Sequence, residues 1–374
     1  MAVIFKTSRE FTVGIEVEAQ LVDGSDMSLV PASTAIIDAL GSSRFGDSIK
    51  HELMLSNIEV VTSVCADVAE AERDLREKFG AVVAEAARRS TLVCCAGTHP
   101  FSPWRDQQVT AKPRYRRLLD DLQYVARRFN IFGLHVHIGV GGGEKCVYVM
   151  NRLVEHLPKL LALSANSPFW EGEFTGLMSY RTKVFETLPI AGLPFYFDDW
   201  RDYVDIIEKY KATGTIRSFR DIWWDVRPHP DFGTIEARVC DVPSTLGEIC
   251  AVAALIQALV VRFSRDFDAG VPCERTHPAI IRENKWRACR YGLDALLIDA
   301  GGVGTDSASD SVLRLLDMLR REMDELGTLG YADRVRAAVA AGGGAMRQLA
   351  RWRESGELAS VVEELVDLLR GELE

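Results

Sequence analysis

Residues 11–20, FTVGIEVEAQ, alternate strictly between apolar and polar side chains. Phe11, Val13, Ile15, Val17 and Ala19 hold one set of positions, and Thr12, Gly14, Glu16, Glu18 and Gln20 the other. A period of two is the signature of a β-strand with one face in the core. Glu16 and Glu18 then point the same way, roughly 6.5 Å apart at about 3.3 Å per residue. Two like charges side by side on one strand face need a reason.

Two further stretches repeat the pattern. In GLHVHIGV, Leu134, Val136, Ile138 and Val140 face one side, while His135 and His137 share the other. In TIEARVCD, Ile235, Ala237 and Val239 are the apolar set, and Glu236 and Arg238 lie opposite. IKHELMLSNIEVVT adds Glu52 and Glu59. Their offset puts them on opposite sides of one straight strand, so they converge only if the chain bends at Ser56-Asn57. Singly, each dyad has an ordinary explanation: an exposed sheet face is polar, and Glu-x-Arg is commonly a surface ion pair worth little. Jointly, three strands give one face each to carboxylates, imidazoles and a guanidinium.

Carboxylates gathered on one sheet repel one another and drive some pKa values up, and a divalent cation relieves that repulsion. Oxygen ligands at about 2.0–2.1 Å favour Mg²⁺, which usually arrives with substrate phosphates. Arg238 beside such a cluster is placed to meet a phosphoryl oxygen with two hydrogen bonds. GVGGGEK at 139–145 lacks the GxxxxGK[ST] spacing of a P-loop and is expected to be a turn. The pattern is that of a phosphoryl-transfer site without a P-loop.

The rest of the chain sets the fold class. Helical spacing runs over 67–89 and 112–129, and from after the GLHVHIGV strand through about 165, with strands at 91–97 and 231–243. Residues 167–197, rich in proline, glycine and aromatics, are expected to form a long ordered loop. Beyond Ser244, a candidate N-cap, helices are expected at 245–267, 278–299, 308–326, 331–352 and 357–370. Strands first and helices afterwards predict an α+β fold rather than alternating βαβ units. One domain over 1–374 is expected, with a helical part from about 244.

A formal charge of −10 argues against a nucleic-acid or anionic-membrane partner. The opening residues carry no secretory apolar region, and the run AVAALIQALVV at 251–261 is too short to cross a bilayer, so it is assigned to a buried helix. Eight cysteines without CxxC spacing fit scattered reduced thiols in a cytoplasmic protein.

GIEVEAQ, HELMLSNIEVVTSVC, GLHVHIGV, DVRPHPDFGTIEARVCDVPS and ENKWRACRYGLDA resemble, in that order over roughly residues 8–300, the carboxylate-amine ligase family described as glutamate–cysteine ligase type 2, of the glutamine synthetase-like superfamily. The resemblance implies a curved antiparallel sheet whose concave face binds Mg²⁺ and ATP, and a homodimer. It implies ATP-dependent joining of a small-molecule carboxylate to an amine, nominally glutamate to cysteine, through an acyl phosphate. Carried over by motif, Glu18, Glu52 and Glu59 hold one metal, and Glu16, His135 and Glu236 the second. Arg238 steadies the γ-phosphoryl with Glu236 beside it, and His137 touches phosphate or metal. Arg181, in the 167–194 segment, is expected to clamp a substrate carboxylate, and Lys285 and Arg290, on the 282–295 helix, to reach the nucleotide. A metal-dependent hydrolase, a guanidino or amine kinase, and a non-catalytic binder remain open on the same residues.

Overall fold

The computed structural model describes residues 3–299 and 301–374; Met1, Ala2 and Ala300, which the expected 1–374 domain includes, lie outside them. The alternating stretch becomes strand β1 (Val13–Asp23), in which Val13, Ile15, Val17 and Ala19 are wholly buried. Around it are β2 (Ile49–His51), β3 (Asn57–Val61), β4 (Thr91–Cys94), β5 (Gly133–Gly139), β6 (Val226–His229) and β7 (Thr234–Asp241). They make a seven-stranded sheet in the order β6-β7-β5-β1-β3-β2, with β4 also paired to β1. Every pairing is antiparallel. The 11 residues of β1 pair with β5 over Val13–Val17, with β3 over Glu16–Gln20 and with β4 over Gln20–Asp23. One strand thus carries three partners.

The apolar face of this sheet joins a single hydrophobic cluster with helices Val68–Ala87, Gly143–Val154, Leu157–Ser164 and Leu246–Asp268. Helix Leu246–Asp268, 23 residues long, falls where the 245–267 helix is expected and contains the eleven-residue apolar run. By length and composition it could span a membrane, yet nearly all of its most apolar window is buried inside the fold. Burial on every side explains why its sequence shows no polar face. At its one mid-helix amide Gln257 Nε2 donates to the Phe11 carbonyl at 2.8 Å, while Oε1 is buried without a partner among the described residues. The α+β architecture is as the strand and helix patterns predict.

Local punctuation departs from expectation in several places. The N-cap is Thr245, whose hydroxyl accepts from the Glu248 amide at 3.1 Å; Ser244 instead bonds Asn166 at 3.1 Å. The 112–129 helix breaks at Gln123, which has φ +50. The helix expected over 278–299 stops at Tyr291, because Gly292 turns left-handed at φ +57, and Leu296–Ile298 then pairs with Thr305–Ser307 as a hairpin. Gly342 and Gly343, both at positive φ, split the 331–352 helix. The 167–197 span holds the short helix Tyr180–Phe185 and three two-residue strands. All eight cysteines are free thiols.

Candidate active site

The sheet register brings the dyads together. Across β1 and β5, Glu16 lies opposite His135; across β5 and β7, His137 lies opposite Glu236; across β6 and β7, Glu236 lies opposite Arg227. On the other flank Glu18 lies opposite Glu59, and Glu59 opposite Lys50. Directly opposed side chains share a face, so this register alone collects the polar groups on one side. A bulge then places Arg238. Ala237 pairs with Val136, but Cys240, not Val239, pairs with Leu134. The extra residue re-aims the strand locally, and the Arg238 guanidinium reaches the Glu236 carboxylate and comes within 3.5 Å of His135 Nδ1.

The bend that Glu52 and Glu59 require is present. Glu52 follows β2 and opens the turn back into β3. That turn is tied to a neighbouring segment by the Thr110 hydroxyl on the Glu52 carbonyl at 2.6 Å and the Thr110 amide on the Leu53 carbonyl at 2.9 Å. Glu16, Glu18, Glu52, Glu59, His135, His137, Glu236, Arg238 and Arg181 all line one cavity of about 940 Å³. Side chains spread over more than two hundred positions therefore meet in one place.

Within the cavity two groups of donor atoms converge to within 4.8 Å of one another: Glu16, His137 and Glu236, and Glu16, Glu59 and His135. The grouping differs from the one carried over by resemblance. His137, not His135, stands with Glu236, because the register sets those two directly opposite. Glu18 and Glu52 line the same wall but fall in neither group. His137 Nε2 lies 3.6 Å from Glu16 and 3.8 Å from Glu236, and it is buried without a hydrogen-bond partner. Its Nδ1 is engaged by the Thr234 hydroxyl at 3.0 Å, which fixes the ring. An orphaned nitrogen between two carboxylates fits a cation.

Charge divides the wall in two. Burial alone pushes Glu16 up, but the His135 hydrogen bond and the nearby imidazoles outweigh it and hold Glu16 at about 2. Burial is likewise outweighed at Glu236, where Arg227 and Arg238 hold the carboxyl well below its usual range. Opposite them, burial and then Glu52 push Glu18 up to about 8. Burial with Glu16 and Glu52 raises Glu59, and burial raises Glu52. Burial and Arg238 lower His135 to about 4. One half of the wall thus favours the ionised form and the other the protonated form, and at Glu18 a divalent cation would displace a proton held at neutral pH.

Arg181 is almost fully buried, with Nη2 donating to the Arg238 carbonyl at 3.4 Å and Nη1 at 4.0 Å from Asp241. Its approach depends on Gly133, since a Cβ there would lie 2.3 Å from Arg181 Nη2. Asp241 is anchored by the hydroxyls of Ser167 at 2.6 Å and Ser179 at 2.8 Å. Lys285 and Arg290 are not on the cavity wall. Lys285 is buried in ion pairs with Asp225 at 2.6 Å and Glu186 at 2.7 Å, and the Arg290 guanidinium covers the Tyr291 ring. Their helix packs against the body of the fold, which sequesters the lysine.

Sequence reasoning missed Arg227, which grips Glu236 from β6, and the further cavity residues Arg114, Arg117, Arg217, Arg220, His229 and Phe232. The signal for Arg227 was the turn in RPHPDFGTIE: a tight hairpin there sets Arg227 across from Glu236.

The model of glutamate-cysteine ligase family 2 matches residues 12–364. A "Putative glutamate--cysteine ligase 2" of Gloeobacter violaceus is 43% identical over 98% of this chain and 98% of its own length. A "Putative glutamate--cysteine ligase 2-1" of Frankia alni is 42% identical over 98% and 97%. Among solved structures, a glutamate–cysteine ligase of Francisella tularensis in complex with AMP superposes with a TM-score of 0.73, over 99% of this chain and 89% of that one, at 14% identity. That last likeness is one of fold. With nearly the whole length matched by the family model and by close relatives, the chain belongs to glutamate-cysteine ligase family 2.

Proposed function

We propose that the protein is an ATP-dependent carboxylate-amine ligase using Mg²⁺, with glutamate and cysteine as nominal substrates. The observation that carries this reading is the cavity wall on which two cation-fitting groups share Glu16 while two arginines flank Glu236. A carboxylate is a poor acyl donor. Attack of its oxygen on the γ-phosphorus of ATP, with cleavage of the bond to the β-phosphate oxygen, releases ADP and leaves an acyl phosphate. The amine nitrogen then attacks the carbonyl carbon, phosphate departs, and the amine loses a proton to give the amide.

Glu16, His137 and Glu236 would hold one divalent ion, and Glu16, Glu59 and His135 another, with Glu18 and Glu52 adjacent. When bound, such ions neutralise charge on the transferring phosphoryl group. Arg238 donates to that phosphoryl group, and Glu236 keeps the guanidinium aimed. Arg181 binds the carboxylate of the acid substrate. None of the cysteines is needed as a nucleophile, and burial raises their thiol pKa values, Cys94 and Cys240 to about 12. The choice of acid and amine rests with the surrounding loops, which fold alone does not specify.

A coupled ADP-release screen over paired acids and amines, with and without Mg²⁺, tests the proposal. A ligase releases ADP only with both partners present. Turnover without nucleotide would make it a hydrolase, and ADP release with one partner alone a kinase. If ATP binds and no pair exceeds background, the ligase reading fails.

A further inference from the structure

A second cavity, of about 260 Å³, lies between helices Leu157–Ser164, Pro278–Tyr291 and Ala308–Met318 and the hairpin that begins at Leu296–Ile298. Among the described residues it shares no lining side chain with the larger cavity. Lys159 stands on its wall, half-buried. The ammonium meets the His156 ring, Nζ lying 3.3 Å from Nδ1, and among the described residues no carboxylate comes within ion-pair distance of it. Burial, with Lys159 and Arg152 adding to it, holds His156 well below its ordinary pKa, so the neutral ring accepts from the ammonium and gives it no countercharge. Burial also lowers the Lys159 pKa, while Glu155 raises it, Arg314 lowers it further and Asp306 raises it from a distance.

The wall around that ammonium carries both signs on anchored side chains. Glu155 accepts from the Thr276 amide at 2.8 Å and from the Thr276 hydroxyl at 2.9 Å. The Arg314 guanidinium is held by Asp306 at 2.7 Å and donates to the Ser311 hydroxyl at 3.3 Å. Asn284 ties the hairpin to its helix, Nδ2 donating to the Ile298 carbonyl at 2.8 Å and Oδ1 accepting from the Ile298 amide at 2.7 Å. Between these groups the buried Ile281, Leu297 and Leu315 line the same space. A dianion such as phosphate would meet Glu155 and Asp306 as well as Lys159, and a bare cation would meet Lys159 and Arg314. A molecule with one carboxylate and one ammonium matches both signs. The volume lies below the roughly 300–1,000 Å³ of pockets for larger ligands.

We propose that this cavity binds a free amino acid with an apolar side chain. Its carboxylate meets Lys159 and Arg314, its ammonium faces Glu155, and its side chain packs on Ile281, Leu297 and Leu315. The site is separate from the polar wall of the main sheet, and the inference stands without the ligase reading.

Calorimetric titration with L-leucine as the probe tests it, beside 4-methylpentanoate and 3-methylbutylamine, which are leucine without its amino group and without its carboxylate. Leucine should bind, and each analogue should bind at least about 10-fold more weakly. Lys159→Met should weaken leucine by about 10-fold or more, and Arg314→Gln, at an exposed position outside the core, should weaken it as well. Arg181→Gln, in the larger cavity, should leave leucine affinity unchanged. Failure of leucine to bind, an analogue that binds as tightly as leucine, or a loss on Arg181→Gln with none on Lys159→Met overturns the site.

Discussion

Arg227 and Glu236 face each other across the β6–β7 hairpin in a two-point ion pair, Nε to Oε2 at 2.7 Å and Nη2 to Oε1 at 3.3 Å. Both are buried, and Arg227 also donates to the Phe219 carbonyl at 3.0 Å and to the Ile222 carbonyl. Removing the guanidinium leaves the buried carboxylate with Arg238 as its one remaining charged partner among the described residues, so the cost should approach about 3–5 kcal/mol, that of a broken buried pair, without exceeding it. Arg227→Ala should lower the denaturant midpoint accordingly, and Arg227→Lys should recover part of the stability but not the two-point geometry. Urea titration of the three proteins decides it; unchanged midpoints would refute the pairing as a stabilising contact.

Arg238 meets the same carboxylate from its bulge but also faces the cavity. Arg238→Ala is expected to cut kcat by about 10²–10³, the usual cost of deleting a donor aimed at developing charge. ATP should still bind, so single-turnover kinetics separate chemistry from affinity. A normal kcat would remove Arg238 from phosphoryl transfer.

The raised carboxyl of Glu18 gives a signed pH prediction. Glu18 sits at about 8 against an ordinary 4.5, chiefly through burial. Between those values the folded chain binds more protons than the unfolded one, so metal-free stability falls as pH rises. Buried histidines such as His135 and His229, both lowered to about 4, act oppositely but only below about 6.5. From pH 6.5 to 8 the apo Tm should therefore decline, and saturating Mg²⁺ should flatten the decline while releasing protons. Thermal scans in paired buffers, with and without EDTA, check it. A rising apo Tm across that window contradicts the assignment.

Gly133 leaves room for Arg181, whose guanidinium a Cβ would displace. Gly133→Ala should cost about 1–3 kcal/mol through overpacking and raise KM for the acid substrate several-fold. KM for ATP should stay near wild type. Steady-state kinetics with each substrate varied in turn distinguish this from general damage, which would move every constant together.

Lys285 makes the converse case. Lys285→Met should destabilise the fold by about 3–5 kcal/mol by leaving Asp225 unpaired in the interior. Protein that does fold should keep its affinity for ADP. A selective loss of nucleotide binding at full stability would return Lys285 to the site.

Much of the wall was legible because strand alternation is a local property. Glu16, Glu18, His135, His137, Glu236 and Arg238 each announce a facing through neighbours one residue away. What alternation cannot give is register, and register decided that His137, not His135, stands opposite Glu236. Lys285 was misread because charge on a helix says nothing of which buried acids await it. Arg227 sits in a strand of four residues, too short to show a period. The helix ends at Gln123 and Tyr291 depended on left-handed residues whose conformation is set by tertiary packing.

Strand β1 supplies Glu16 and Glu18; its partner β3 follows soon after, but β5 comes from far along the chain and β7 closes the row still later. A chain that stops short of β7 therefore lacks Glu236 and Arg238 on the wall, and the first strand keeps one edge unpaired until β5, Gly133–Gly139, has been made. The polar wall is completed only by that last long-range pairing.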